Sequence, residues 1–184
     1  MPTTIRTRRL TNDYERVLSD LAGSEFVKVK PIAGSPPNHY RVTYLVSGLM
    51  SENSGETTKP VTRHEVDIVL PIGYPKQSPR CTMITPIWHP NIGDYICIGD
   101  YWSAGVPLVD IIVHIGDMIQ YKNYNLRSPV NKTAAAWAER NIRSFPVGNR
   151  SLLPGDRPDS SALVVIDIPE ADDLGISLGP VRER

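Results

Sequence analysis

Apolar residues in the first stretch recur at helical spacing. Leu10, Tyr14, Val17, Leu18 and Leu21 fall on one stripe of an amphipathic helix that ends near Gly23. The pattern then switches to alternation. Residues 26–30, 40–46 and 64–70 alternate apolar and polar positions as half-buried strands do, and 80–85 reads as a fourth strand. The polar, glycine-containing stretch 51–59 reads as a hairpin loop between the second and third of these. Helical spacing returns at Leu108, Ile111, Ile112, Ile115, Met118 and Ile119, predicting a central helix over 107–120. Pro107 suits its first turn, whereas Gly116 weakens its second half. Residues 130–140, with Pro129 near the start, read as a further helix. The order predicts an α+β fold: an N-terminal helix, a four-stranded antiparallel meander, then a central helix and one or more C-terminal helices packed on the sheet.

At 184 residues the chain suits one domain with an appendage. The composition changes after Phe145-Pro146, so the domain is expected over 1–147, with a linker and tail over 148–184. Residues 148–161 are rich in Gly, Pro, Ser and Asp. They lead into Ala162-Leu163-Val164-Val165-Ile166-Asp167-Ile168 and then Glu170, Asp172 and Asp173. The formal net charge is zero, so no global field draws nucleic acid or an anionic membrane. No apolar run approaches the roughly 20 residues of a membrane span. The first residues lack a hydrophobic signal core, and Pro2 stands where N-myristoylation needs glycine. With two cysteines, the expectation is a soluble protein of the reducing cytoplasm.

The candidate chemistry lies in Trp88-His89-Pro90-Asn91-Ile92-Gly93-Asp94-Tyr95-Ile96-Cys97-Ile98-Gly99-Asp100-Tyr101-Trp102. A thiol that handles acyl groups needs exposure and a donor for the oxyanion of the tetrahedral intermediate. Cys97 follows shortly after Asn91, on a segment too punctuated by Pro90 and Gly93 to be helical. Cys81, inside a strand pattern, reads as inert core. A metal reading would gather His89, Cys81, Cys97 and His114, but no pair has ligand spacing and none is expected.

Further motifs occur in order around this run: Asp13-Tyr14 on the first helix, Pro36-Pro37-Asn38-His39-Tyr40, Tyr74-Pro75-Lys76-Gln77-Ser78-Pro79, His89-Pro90-Asn91, Cys97, and Trp102-Ser103. Over residues 6–145 the chain thereby resembles the ubiquitin-conjugating enzymes. It departs from their eukaryotic pattern in a shorter gap between Asn91 and Cys97, in Ile98-Gly99-Asp100 after the cysteine, and in Ala104-Gly105 after Trp102-Ser103. In these it resembles the divergent bacterial conjugating enzymes of ubiquitin-like operons.

The resemblance implies that Cys97 accepts a ubiquitin-like protein from an activating enzyme as a thioester and passes it to an amine of a protein substrate. No cofactor is implied, because ATP is consumed upstream. Asn91 would stabilise the oxyanion and order the loop, although tying down its own turn is the plainer role for an Asx residue. His89 would be a structural hydrogen-bonder rather than a general base. The residue that guides the amine is left open among Asn123, Asn125 and Ser128, with Asp100 the nearest acid in sequence.

Arg6, Arg8, Arg9 and Arg16 lie mostly off the apolar stripe. They form either a solvated face or, as the resemblance implies for Arg6 and Arg9, a docking face for the activating enzyme. Val164, Val165, Ile166 and Ile168 with the trailing acids resemble motifs that add a strand to a ubiquitin-like partner. The plainer alternative is a strand on the domain's own sheet edge. Two other functions compete: a non-catalytic scaffold that binds ubiquitin-like proteins, and a cysteine hydrolase of their conjugates.

Overall fold

The computed structural model describes residues 4–52 and 57–155, with the side chain of Asp100 also outside the description. The helix α1 (Ile5–Asp20) begins where Thr4 caps it by accepting from the Thr7 N–H at 3.0 Å. It buries Leu10, Val17 and Leu21. Two positions differ from the stripe. Leu18 is 55% exposed, and Asp13, on the inner face, is 2% exposed. Asp13 is tolerated there because it is fully bonded. It pairs with Arg9 Nε at 2.8 Å, accepts from the Tyr74 hydroxyl, and accepts from the Leu108 N–H at 3.1 Å.

Strands β1 (Val27–Gly34), β2 (Pro37–Tyr44), β5 (His64–Val69) and β6 (Arg80–Met83) form the antiparallel sheet in the order β1-β2-β5-β6. The stretch 51–59 is not simply a loop. Strands β3 (Gly48–Glu52) and β4 (Thr57–Val61) pair as a separate two-stranded ribbon, with Met50 opposite Lys59. Beyond Gly48 and Leu49 the ribbon is half-buried or exposed and carries little apolar alternation, so the pattern concealed it.

The central helix α2 (Leu108–Ile119) lays its apolar face on the sheet, burying Leu108, Ile111, Ile112, Ile115 and Ile119. The Tyr44 hydroxyl donates to Ile112 O at 2.9 Å, tying sheet to helix. Gly116 is explained by closeness. A Cβ there would collide with Leu152 and would lie 3.1 Å from the Tyr44 ring. Helix α3 (Lys132–Arg140) starts two residues later than the pattern predicts, because Asn131 is its cap, accepting from the Ala134 N–H at 2.9 Å.

The chain beyond Val147 does not begin as a linker. Leu152 is 2% exposed and belongs to the core between α2 and β2. Its carbonyl accepts from Ser24 Oγ at 2.7 Å, and Gln120 Oε1 accepts from the Arg150 N–H at 2.7 Å. Residues 148–152 therefore pack with the domain, with Leu152 occupying a site that the short Leu152-Leu153 pair, in a stretch rich in Gly, Pro, Ser and Asp, did not advertise. Val164, Val165, Ile166 and Ile168 lie outside the described residues. No helix among the described residues is long and apolar enough to cross a membrane.

Candidate active site

Cys97 is positioned by its neighbours. Ile96 and Ile98 are buried at 3% and 7% exposure, and between them Cys97 is left half-buried at the surface. The Ile96 N–H donates to Cys81 O at 2.8 Å, which fastens this segment along the outer edge of β6. The Cys97 N–H donates to Asn91 O at 2.9 Å, and Ile92 bridges to Ile96. The short gap is thus closed as a tight loop, with Gly93, Asp94 and Tyr95 exposed at its tip. Past the thiol the chain turns through Gly99 at φ +43°, a left-handed conformation that a side chain would strain. Cys81 contrasts with Cys97: it is 2% exposed, and burial pushes its thiol up to about 12.

His89, Pro90 and Asn91 join this loop to the segment between α2 and α3. The carbonyl of Pro90 accepts from the N–H groups of Val130 and Asn131 at 2.9 and 2.8 Å. Asn91 is 5% exposed, and its side chain is engaged at both ends. Nδ2 donates to Asn125 O at 2.8 Å and to Ser128 O at 3.4 Å, while Oδ1 accepts from the Asn125 N–H at 2.7 Å. Asn91 is therefore a brace between the two loops, and the contact to Ser128 is its weakest.

His89 is fully buried, and burial lowers its pKa to about 3, opposed in part by the nearby Asn123 backbone. Its Nδ1 accepts from the Asn91 N–H at 3.1 Å, so the lone pair that a base would use is occupied. Among the described residues Nε2 meets no partner at strict hydrogen-bond geometry. The ring packs on Tyr121, with centroids 4.7 Å apart. Tyr121 was missed by the sequence reading. It sits at φ 59°, stacks on Phe145 at 4.3 Å, and donates its hydroxyl to Trp88 O, holding the backbone that leads into His89. Tyr101, on the 3-10 turn Gly99–Tyr101 after the thiol, stacks on His114 of α2 at 4.0 Å with the rings 4° from parallel. Its signal was equally absent from the sequence, since nothing links residues 101 and 114 before folding.

The amine-guide candidates are placed unequally. Asn125 is a turn-former, its Oδ1 accepting from the Arg127 N–H at 2.8 Å and the Ser128 N–H at 3.3 Å. Asn123 is exposed, and Asp100 lies on the 3-10 turn. Of the arginines, Arg9 is held within the fold rather than offered to a partner. Besides Asp13 it donates to Ala104 O at 2.7 Å and to Val106 O, and its guanidinium lies 5.3 Å from the Tyr74 ring centre. Its long side chain reaches back over the loop before α2, which no spacing rule on one helix foretells. Arg6 is half-buried with weaker contacts to Leu70 O and Pro71 O at 3.3 and 3.4 Å, while Arg8 is exposed. Among the described residues no three His, Cys, Asp or Glu side chains gather at a possible cation site.

Residues 60–148 match the family model described as "Ubiquitin-conjugating enzyme". Similar curated proteins include ubiquitin-conjugating enzyme E2 K of Homo sapiens, 30% identical over 103 residues, which covers 50% of this chain and 51% of that protein. Ubiquitin-conjugating enzyme E2 27 of Arabidopsis thaliana is 29% identical over 89 residues, covering 45% of this chain and 44% of the relative. The chain thus spans about half the length of the curated relatives it matches. The matched segment contains the thiol loop, its Asn91 brace and the central helix, and the observed α+β fold agrees with this likeness to the ubiquitin-conjugating enzymes.

Proposed function

We propose that the protein is a conjugating enzyme that carries a ubiquitin-like protein as a thioester on Cys97. In the first step the Cys97 thiolate attacks the thioester carbonyl on the activating enzyme, and that enzyme's cysteine leaves as a thiolate. In the second an amine of a protein substrate attacks the new thioester. The amide forms, Cys97 leaves as a thiolate, and the amine's extra proton passes to solvent. The observation that carries the reading is the contrast between the thiols. Cys97 is at the surface on a braced loop, and Cys81 is buried with its ionisation suppressed.

Asn91 acts twice in this scheme. It braces the loop in the resting protein, and its Nδ2 turns from the long Ser128 contact to the oxyanion as the amine adds. No general base is assigned, so the rate rests on an intrinsically reactive thioester and a positioned amine. A hydrolase reading is disfavoured because His89 is buried, neutral and already bonded through Nδ1. The test is charging with ATP, an activating enzyme and its ubiquitin-like protein. Cys97 should form a reductant-sensitive adduct, Cys97→Ser a reductant-resistant oxyester, and Cys81→Ser should still charge. A normal adduct on Cys97→Ala would overturn the assignment.

A further inference from the structure

The chain on the two sides of the Cys97 thiol is held by different means. Leading in, the Ile96 and Cys97 N–H groups donate to Cys81 O and Asn91 O at 2.8 and 2.9 Å, so the backbone is hydrogen-bonded up to the thiol itself. Leading out, buried Ile98 and half-buried Trp102 flank the 3-10 turn Gly99–Tyr101, with the Trp102 ring 5.7 Å from that of Tyr74. The turn itself keeps one good bond, Tyr101 N–H to Ile98 O at 3.0 Å, and a long one, Trp102 N–H to Gly99 O at 3.4 Å. It opens on Gly99, and glycine has the freest backbone of any residue. The sulfur rests against this same residue: a Cβ at Gly99 would lie 3.8 Å from Cys97 Sγ. A turn with so few bonds of its own holds the sulfur in place only if something grips it from the side.

Tyr101 supplies that grip. Its ring is 41% exposed, yet it lies flat on His114 of α2, with centroids 4.0 Å apart and planes 4° from parallel. His114 is half-buried, with Asp110 about one turn before it and Asp117 about one turn after. Burial lowers the His114 pKa against the opposing pull of Asp117, which itself pairs with Lys122 at 3.2 Å. At neutral pH the contact is therefore between two uncharged rings. It fastens an exposed turn to the helix that is packed on the sheet. We propose that Tyr101 and His114 are a positioning pair for acyl transfer at Cys97. By fixing the turn on which the sulfur rests, the stack fixes where the thioester carbonyl stands relative to Asn91 Nδ2. The two rings act through Gly99 and the sulfur rather than on the reacting atoms. This inference rests on the reading of Cys97 as the acyl-carrying thiol and deepens it.

The test acylates Cys97 of the full chain, in a Cys81→Ser background, with N-acetylglycine thiobenzyl ester. The Cys97 thiolate attacks the carbonyl and benzyl thiolate leaves. L-lysine is then added: an amine bonds to the carbonyl carbon, the C–S bond breaks with its electron pair leaving on Cys97, and the amine's extra proton passes to solvent. Tyr101→Leu and His114→Leu should each slow this second transfer roughly two- to tenfold, the scale of one aromatic contact. The double variant should be no slower than the slower single, since both remove the same contact. Tyr101→Phe, which keeps the ring, should restore the rate. In an Asn91→Ala background the leucine variants should change the rate little, because the donor that the stack aligns is gone. The Trp102 amide should exchange faster in both leucine variants than in the wild type, reporting a loosened turn. Wild-type transfer by the leucine variants overturns the proposal, as does additive slowing in the double variant, undiminished slowing in Asn91→Ala, or unchanged Trp102 exchange. Neither an activating enzyme nor a ubiquitin-like protein takes part, so these results stand apart from the enzymatic charging that tests the proposed function.

Discussion

Replacing Asn91 by alanine separates bracing from catalysis, because the two roles act on different observables. The substitution removes the short bonds to the Asn125 backbone, Nδ2 to O at 2.8 Å and N to Oδ1 at 2.7 Å. At about 0.5–1.5 kcal/mol net for each neutral bond, these two amount to about 1–3 kcal/mol of stability. The loss of an oxyanion donor acts only on the transition state, at roughly 2.7–4 kcal/mol, or a hundred- to a thousandfold in rate. Discharge of a preformed Cys97 thioester to free amine in a single turnover should therefore slow by roughly two to three orders of magnitude. Charging should slow less, since the activating enzyme can supply donors of its own.

Asn125→Ala is the control. Its side chain shapes the same turn through Arg127 and Ser128, but Asn91 is bonded to the Asn125 backbone and keeps those contacts. If Asn125→Ala slows discharge as much as Asn91→Ala, loop order explains the effect. If a folded Asn91→Ala discharges at the wild-type rate, the donor role is refuted. Asn91→Asp should be less stable than alanine, because it sets a buried carboxylate oxygen against the Asn125 and Ser128 carbonyls.

Ending the chain after Val147 should cost about 3 kcal/mol or more in urea unfolding, since it deletes the buried Leu152 and orphans Gln120 Oε1, whereas ending it after Gly155 should cost little. Arg9→Glu should lower stability on the order of 3–5 kcal/mol by stranding the buried Asp13, while Arg8→Glu should leave stability unchanged and reduce the charging rate and its salt sensitivity if this face meets the activating enzyme. Burial lowers the pKa of His89 to about 3 and also lowers those of His64 and His114, so the unfolded chain takes up protons first as pH falls. Stability should then be full above the unfolded value near 6.5 and decline below it, with His89 alone contributing a loss of roughly 2 kcal/mol by pH 5, and a folded His89→Asn should show a shallower decline in unfolding measured against pH.

The architecture could be read from the chain because its main elements carry strong periodicities: helical in α1 and α2, alternating in β1, β2 and β5. A buried face must repeat with the geometry of its own backbone, so the pattern survives without tertiary information. The ribbon of β3 and β4 escaped because neither of its faces is fully buried, and the packed length beyond Val147 escaped because it is held by buried Leu152 and by bonds of its backbone to Ser24 and Gln120, which leave no periodicity. At the site, Cys97 and Asn91 stood out through their order along the chain, whereas the support from Tyr121 and Tyr101 did not.

The sequence by itself determined the order of the helices and of the four strands of the main sheet, the family resemblance, and which cysteine stands in a loop. Tertiary structure alone decided the fate of the polar groups. It holds Arg9 within the fold beside Asp13, engages both ends of Asn91, empties His89 of basicity by burying it, and leaves Leu18 exposed. The physical reason is that periodicity reports the face a residue occupies, while hydrogen-bond partners, desolvation and pKa depend on groups distant in sequence. Arg9 meets Val106, and Asn91 meets Asn125, across 97 and 34 residues of chain, through contacts that only the folded molecule brings together.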